Sequence, residues 1–262
     1  MVIRILALLL ILALSSCSVH QVQERDAALK TVLQQLPITT NQAVVVSNQS
    51  WESTTAQLQR YQRQPANHNK AITSRWYKVG EAMLVQLGRS GLAWGAGLHQ
   101  LPNKALIKKE GDGNAPAGIF AFGTAFGYGN RPLGIQLPYR KADAHDYYID
   151  DVQSADYNQW RRFVSHQADG AKQQWQSFER MRRDDHLYEL GLEVMHNKSP
   201  VVAGQGSAIF LHIWKTPETP TAGCTAMAKA NLLTVLRWLD PKQQPLLVQM
   251  PQQGMKKVKF SP

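Results

Sequence analysis

Apolar positions recur in two different rhythms along this chain, and the change of rhythm outlines its organisation. Residues 18 to about 40 are polar, with Leu29, Val32, Leu33 and Leu36 returning at helical spacing before Pro37, which predicts a short amphipathic helix. From Ala43 the texture becomes β-like. Val44 to Asn48, Arg75 to Val79 and Met83 to Leu87 read as short strands separated by Gly, Asn and Ser signals. The Gly- and Pro-rich stretch from Asn103 to Gly134 reads as tight turns and loops between short strands. Residues from about Asp143 to Asp185 place Trp160, Trp175, Phe178 and Met181 at intervals that suit helices. Tyr188 to His196 and Ser207 to Ile213 are strand-like again. Thr225 to Leu239 reads as the clearest helix, with Leu232, Leu233, Leu236 and Leu239 in one stripe and Asp240-Pro241 as its stop. Leu246 to Met250 is a closing strand. No repeat is visible. The pattern predicts a mainly β fold, a β-sandwich or partly open barrel with inserted helices, in a single domain over 41–262.

The N-terminus alters where that domain is expected to work. Met-Val-Ile-Arg precedes an apolar run from Ile5 to Leu14 and then Ser15-Ser16-Cys17. One charge, a short apolar core and small residues before a cut site make a signal peptide over 1–16. The run is too short to span a bilayer as a helix. Leu14-Ser15-Ser16-Cys17 also resembles the lipobox of bacterial lipoproteins. The resemblance implies a diacylglycerol on the Cys17 sulfur, cleavage before it, and an acylated new amine. The lipidated N-terminus and amphipathic helix then cover 17–40. Several acyl chains make a stable anchor. Ser18 after the cysteine resembles the outer-membrane default, so the expected place is the periplasmic side of the cell envelope.

Charge narrows the partners. The chain carries a net charge of +10, about +9 once Arg4 leaves with the leader. Its positive residues are scattered, and no basic run interleaves with aromatics, so nucleic acid is not an expected partner. An envelope polyanion or a carboxylate-bearing wall peptide fits that charge better.

Cysteine usage singles out one thiol. The sequence holds two cysteines, and if Cys17 carries lipid, Cys224 has nothing to pair with in an oxidising compartment. It follows the compact turn Thr221-Ala222-Gly223, and His212 ends an apolar strand twelve residues upstream. Alternation puts Ala208, Phe210 and His212 on one face of that strand, opposite Ser207, Ile209, Leu211 and Ile213. Cys224 is expected just before the helix, with Thr225 as its cap, where the helix's positive end favours thiolate. A neutral imidazole nearby would take the thiol proton. Backbone amides of Gly223 and Cys224 are natural oxyanion donors. The bland reading of the same residues is a core histidine and a buried thiol.

These residues also carry a resemblance. Gly206 to His212, followed by Thr221-Ala222-Gly223-Cys224, is similar to the catalytic motif of YkuD-type L,D-transpeptidases. Lys109-Glu110-Gly111-Asp112-Gly113 with Pro116-Ala117-Gly118-Ile119-Phe120 resembles that family's glycine-rich segment. The likeness runs from about Met83 to Pro251. It implies a mainly β fold, an acyl-enzyme on Cys224, His212 as general base, and peptidoglycan stem peptides as substrate. It implies no cofactor. The family's arginine two residues after the cysteine is Ala226 here, as in a branch reading Thr-Ala-Gly-Cys-Thr-Ala-Met. Arg182, Arg183 or Lys215 could replace the lost cation. Arg182, Tyr188 and Thr221 are candidates for the substrate groove, and Glu179 lies in the same polar-aromatic insert. His186, His196, His212 and Cys224 match no compact metal-ligand spacing, so no metal is expected. Asp150-Asp151 and Asp184-Asp185 read as solvated carboxylates. A non-catalytic peptidoglycan-binding lipoprotein on the same fold is the alternative.

Overall fold

The computed structural model describes residues 26–64, 74–164 and 170–261. The signal peptide, Cys17 and its lipid lie outside the described residues. In chain order, a helix over 26–35 (α1) precedes β1 (Gln42–Ser47), β2 (Thr55–Gln64) and β3 (Arg75–Gln86). Then come β4 (Leu92–Trp94), β5 (His99–Gln100), β6 (Ala115–Gly127), β7 (Tyr139–Lys141), β8 (Asp146–Ile149) and β9 (Trp160–Arg162). A short α2 (Gly170–Gln174) leads to β10 (Phe178–Arg180), β11 (Leu190–Val194), β12 (Phe210–Ile213) and β13 (Thr225–Met227). The chain ends with α3 (Lys229–Trp238), β14 (Leu246–Gln249), α4 (Gln252–Met255) and β15 (Lys259–Phe260).

Most strands join one sheet in the order β11-β12-β13-β3-β2-β1-β14-β6, and β6 pairs back to β11. The expected β core is therefore a barrel, and this ring of pairings closes it. Closure leaves few unpaired edges for another chain to template on. Its filling is apolar: Val44, Leu58, Val85, Ile119, Phe120, Leu192, Leu211 and Val248 are buried in one cluster. Leu232, Val235 and Leu236 of α3 seal it from one side, as the leucine stripe requires, and Val32, Leu33 and Leu36 close it near α1.

Several elements differ from the sequence reading, each for a local reason. Thr55–Gln64 is a full strand despite its glutamines. A bulge between Leu58 and Arg60 shifts the inward phase from Ala56 and Leu58 to Tyr61 and Arg63. The two expected strands at 75–79 and 83–87 are one strand, bent at Gly80 with φ +64°. The expected turn-rich region holds the longest strand, β6, because its alanines and glycines fit between β14 and β11, where both faces are covered. The expected closing strand β14 is central, between β1 and β6.

Among the described residues of 143–185, no helix other than α2 is present. They form a separate antiparallel sheet in the order β10-β8-β9. Asp146, 1% exposed, organises it by accepting from Arg140 (2.7 Å), the Trp160 indole (2.9 Å), Arg162 (3.3 Å) and the Asp143 amide (3.0 Å). A buried carboxylate satisfied this fully holds three strand ends in one place. Tyr148 of β8 packs this sheet against Phe126 of β6 and Phe210 of β12, and Asp150 and Glu179 line the cavity of the site described next.

Candidate active site

Parallel pairing of β12 with β13 brings the two predicted residues together. The register sets Leu211 beside Thr225, His212 beside Ala226 and Ile213 beside Met227. Register partners in adjacent strands project to the same face, and so do residues two positions away. His212 and Ala226 therefore share a face. Cys224 sits in the bend directly before β13. His212 and Cys224 line one cavity of about 380 Å³.

The resting protonation states follow from burial. Cys224 packs in a cluster with Phe126, Tyr148, Tyr188 and Phe210, whose rings meet edge to face at 5.1–5.8 Å. This apolar block pushes the thiol up to about 12, against the Phe210 amide and the charges of Lys108 and Arg183. Burial likewise brings His212 down to about 4, although its bond to Ile213 opposes that. The pair is thus neutral thiol and neutral imidazole at pH 7. His212 Nδ1 lies 2.8 Å from the Ile213 carbonyl, which can only accept, so Nδ1 carries the proton and Nε2 the lone pair. The Tyr188 ring fixes the imidazole plane, edge to face at 5.4 Å.

Backbone geometry around the sulfur is unusual and held from several sides. The thiol donates to the Ala208 carbonyl at 3.3 Å and accepts from the Phe210 amide at 3.3 Å. Ala208 has φ +52°, an uncommon conformation for a residue with a Cβ. It breaks the expected alternation, so the regular strand begins only at Phe210. Asn158, 1% exposed, clamps that kink: Oδ1 accepts from the Ala208 amide (3.3 Å), while Nδ2 donates to the carbonyls of His196 (3.1 Å) and Asn197 (2.7 Å). Asn158→Ala strands three buried backbone groups and is expected to cost about 3 kcal/mol, read as a lower urea midpoint. An unchanged midpoint would remove Asn158 from this account.

The helix expected directly after Cys224 is not there. Thr225–Met227 is a strand, Thr225 donates to Gln249 Oε1 at 2.7 Å, and α3 begins at Lys229 with Ala228 as a cap that makes no side-chain bond. β-branched Thr225, buried against β12, prefers the sheet. The helix-dipole argument for a preformed thiolate therefore fails, in agreement with the raised thiol. The oxyanion expectation also changes. The Gly223 amide donates to Thr221 Oγ1 at 3.1 Å, and that hydroxyl donates to the Cys224 carbonyl at 2.7 Å. Gly223 is consumed in shaping the turn at φ +156°, which leaves the Cys224 amide as the backbone donor of the two.

Thr221, Tyr188, Gly223, Ala226, Glu179, Arg183 and Lys215 all line the cavity as candidates. Arg182 does not. It stacks over the Tyr128 ring at 5.0 Å instead. Arg183 faces inward but is bound to Asp185 (3.0 Å) and Glu179 (3.3 Å). His186 and His196 bond to the carbonyls of Trp214 and Gln205 and do not converge with His212 and Cys224. Asp150, expected as a solvated carboxylate, is a cavity wall. Its carboxyl is raised by burial and by the charge of Glu110, and burial raises Glu179 as well. Asp151 turns away and accepts from the amides of Gln153 and Gln176.

Lys108, Glu110 and Arg89 are lining residues that the sequence reading did not identify. Glu110 accepts from Ser207 (2.7 Å) and from the Tyr157 hydroxyl. Lys108 stands directly before Lys109-Glu110-Gly111-Asp112-Gly113 and Glu110 within it, so position in that glycine-rich segment is the available signal for both, while Arg89 carries none.

Searches against protein-family models, curated proteins and solved structures find no match to this chain.

Proposed function

We propose that this protein is an acyl-transfer enzyme of the L,D-transpeptidase type, acting through Cys224 on peptidoglycan stem peptides. The observation that carries the reading is the shared cavity of Cys224 and His212, with Nδ1 pinned to Ile213 so that Nε2 is the basic atom. The Sγ proton passes to His212 Nε2 as sulfur bonds to the peptide carbonyl carbon and the carbonyl π pair moves to oxygen. Collapse re-forms the carbonyl, breaks the C–N bond and hands the Nε2 proton to the leaving amine. An incoming amine or water then yields its proton to Nε2 while attacking the thioester, and the departing sulfur takes that proton back. Cations and carboxylates around the cavity suit a peptide that bears both an ammonium and a carboxylate.

Lipidation at Cys17 belongs to the same proposal, because an anchored enzyme would meet the wall from the membrane surface. A wall-binding lipoprotein without turnover is the second reading, favoured by the neutral resting thiol. Intact-mass spectrometry after incubation with muropeptides separates them. An acyl adduct on Cys224 that vanishes in Cys224→Ala is the expected result. A wild type that retains muropeptides but never carries the adduct establishes the second reading instead.

A further inference from the structure

The acyl step builds negative charge on sulfur and then on the carbonyl oxygen, inside an apolar cluster that gives it little help. A positive partner must come from the cavity wall. Two cations bear on Cys224, Lys108 and Arg183. Arg183 is already shared between two carboxylates and is a third exposed. Lys108 is 3% exposed and has one carboxylate partner, Asp112 at 2.9 Å.

The Asp112 turn is built to aim that lysine. Asp112 accepts from the amides of Lys109 (2.8 Å) and Asn114 (2.9 Å) as well as from Lys108, and Gly111 and Gly113 take φ +71° and +77° to close it. Across the cavity the lysine runs where two glycines leave room. A Cβ on Gly206 would come within 2.8 Å of Lys108 Cε, and one on Gly223 within 3.5 Å of Nζ. The ammonium thus lies against the turn that carries Cys224.

On the acyl-transfer reading above, the geometry points to Lys108 as the cation that stabilises negative charge at Cys224, with Asp112 as the residue that positions it. His212 takes the thiol proton, and the ammonium offsets the charge left on sulfur and on the tetrahedral oxygen. The cation is delivered from the loop before β6, where neither Ala226 nor any neighbour on β13 supplies one.

Alkylation of the full chain by iodoacetamide at pH 8 tests this without a peptide substrate, the Cys224 peptide being quantified by mass spectrometry apart from Cys17. Lys108→Met is expected to slow alkylation roughly tenfold. Loosening of the fold would do the opposite, because exposing a buried thiol speeds its reaction. Lys108→Arg is expected to stay within about threefold of wild type, since it returns the charge. Should the methionine variant fail to fold, Lys108→Gln carries the same reading. A Lys108→Met or Lys108→Gln rate equal to or above wild type overturns the assignment, as does an arginine variant no faster than the neutral one. A wild type that never acylates on muropeptides would sink the enzyme reading while leaving the alkylation comparison intact.

Discussion

Between pH 6.5 and pH 4 the protein is expected to lose several kcal/mol of stability, enough to bring it close to acid unfolding. Three histidines, His99, His196 and His212, are buried and lowered to about 4, burial being the main cause in each. In the unfolded chain they titrate near 6.5. Over that window the unfolded state therefore takes up protons that the folded state refuses, and stability falls as pH falls. Below about 4 the folded state protonates too and the slope disappears. At about 1.4 kcal/mol per pH unit and group, each histidine contributes ~3 kcal/mol and the three together at most ~10 kcal/mol. Asp150 and Glu179, whose folded carboxyls are raised, bind protons more readily in the folded state and offset part of this. What remains is comparable to the whole stability of an ordinary domain. Urea midpoints at pH 7, 5.5 and 4.5 measure the slope. His99 is the place to dissect it, because its ring packs tilted against Trp94 and edge to face against Phe120, with Nε2 unpartnered. His99→Phe should flatten the slope by about a third. Equal midpoints at pH 7 and 5 would refute the account.

That same burial marks where the sequence was readable and where it was not. Strands with apolar alternation or runs, such as Gln42–Ser47 and Leu190–Val194, were legible because side-chain period reports one buried face. Thr55–Gln64 was hidden because its buried positions include Arg60 and Arg63, whose guanidiniums find Trp238, Trp76 and the carbonyls of Leu36 and Pro37. Those partners are supplied by tertiary folding, so no local pattern announces them. The three-stranded insert was misread as helical for a related reason. Trp160, Trp175 and Phe178 recur at helix-like intervals, yet their order comes from the buried carboxylate of Asp146 and from ring contacts across the strands. At the candidate site, Cys224 and His212 were legible as a pair because a lone thiol after a glycine turn and an imidazole at a strand end are rare residue types in telling positions. Lys108 was not, since one lysine in a basic chain stands out only when its burial is known. The neutral state of the thiol was misjudged because the Thr225 strand displaced the helix that would have charged it.

Removing the imidazole is expected to cost more than any other change at the site apart from loss of the sulfur. With the thiol up at about 12, thiolate at pH 7 amounts to only ~10⁻⁵ of the population. Acylation at a useful rate therefore needs His212 Nε2 to take the proton as the carbon–sulfur bond forms. His212→Ala is expected to slow Cys224 acylation by about 10³- to 10⁴-fold while leaving the adduct site unchanged, measured as single-turnover acylation by a muropeptide. The pH profile separates this mechanism from attack by free thiolate. A base near 4 stays unprotonated from pH 7 to 5.5, so the wild-type rate should be flat there. An imidazole at its ordinary 6.5 would lose roughly tenfold over the same interval. Free thiolate would instead gain about tenfold per unit on the way up to 12. A flat profile together with the His212→Ala loss identifies concerted transfer between two neutral groups, the state that burial imposes on both. A tenfold rise per unit that persists in His212→Ala would show that the imidazole is a packed core residue after all.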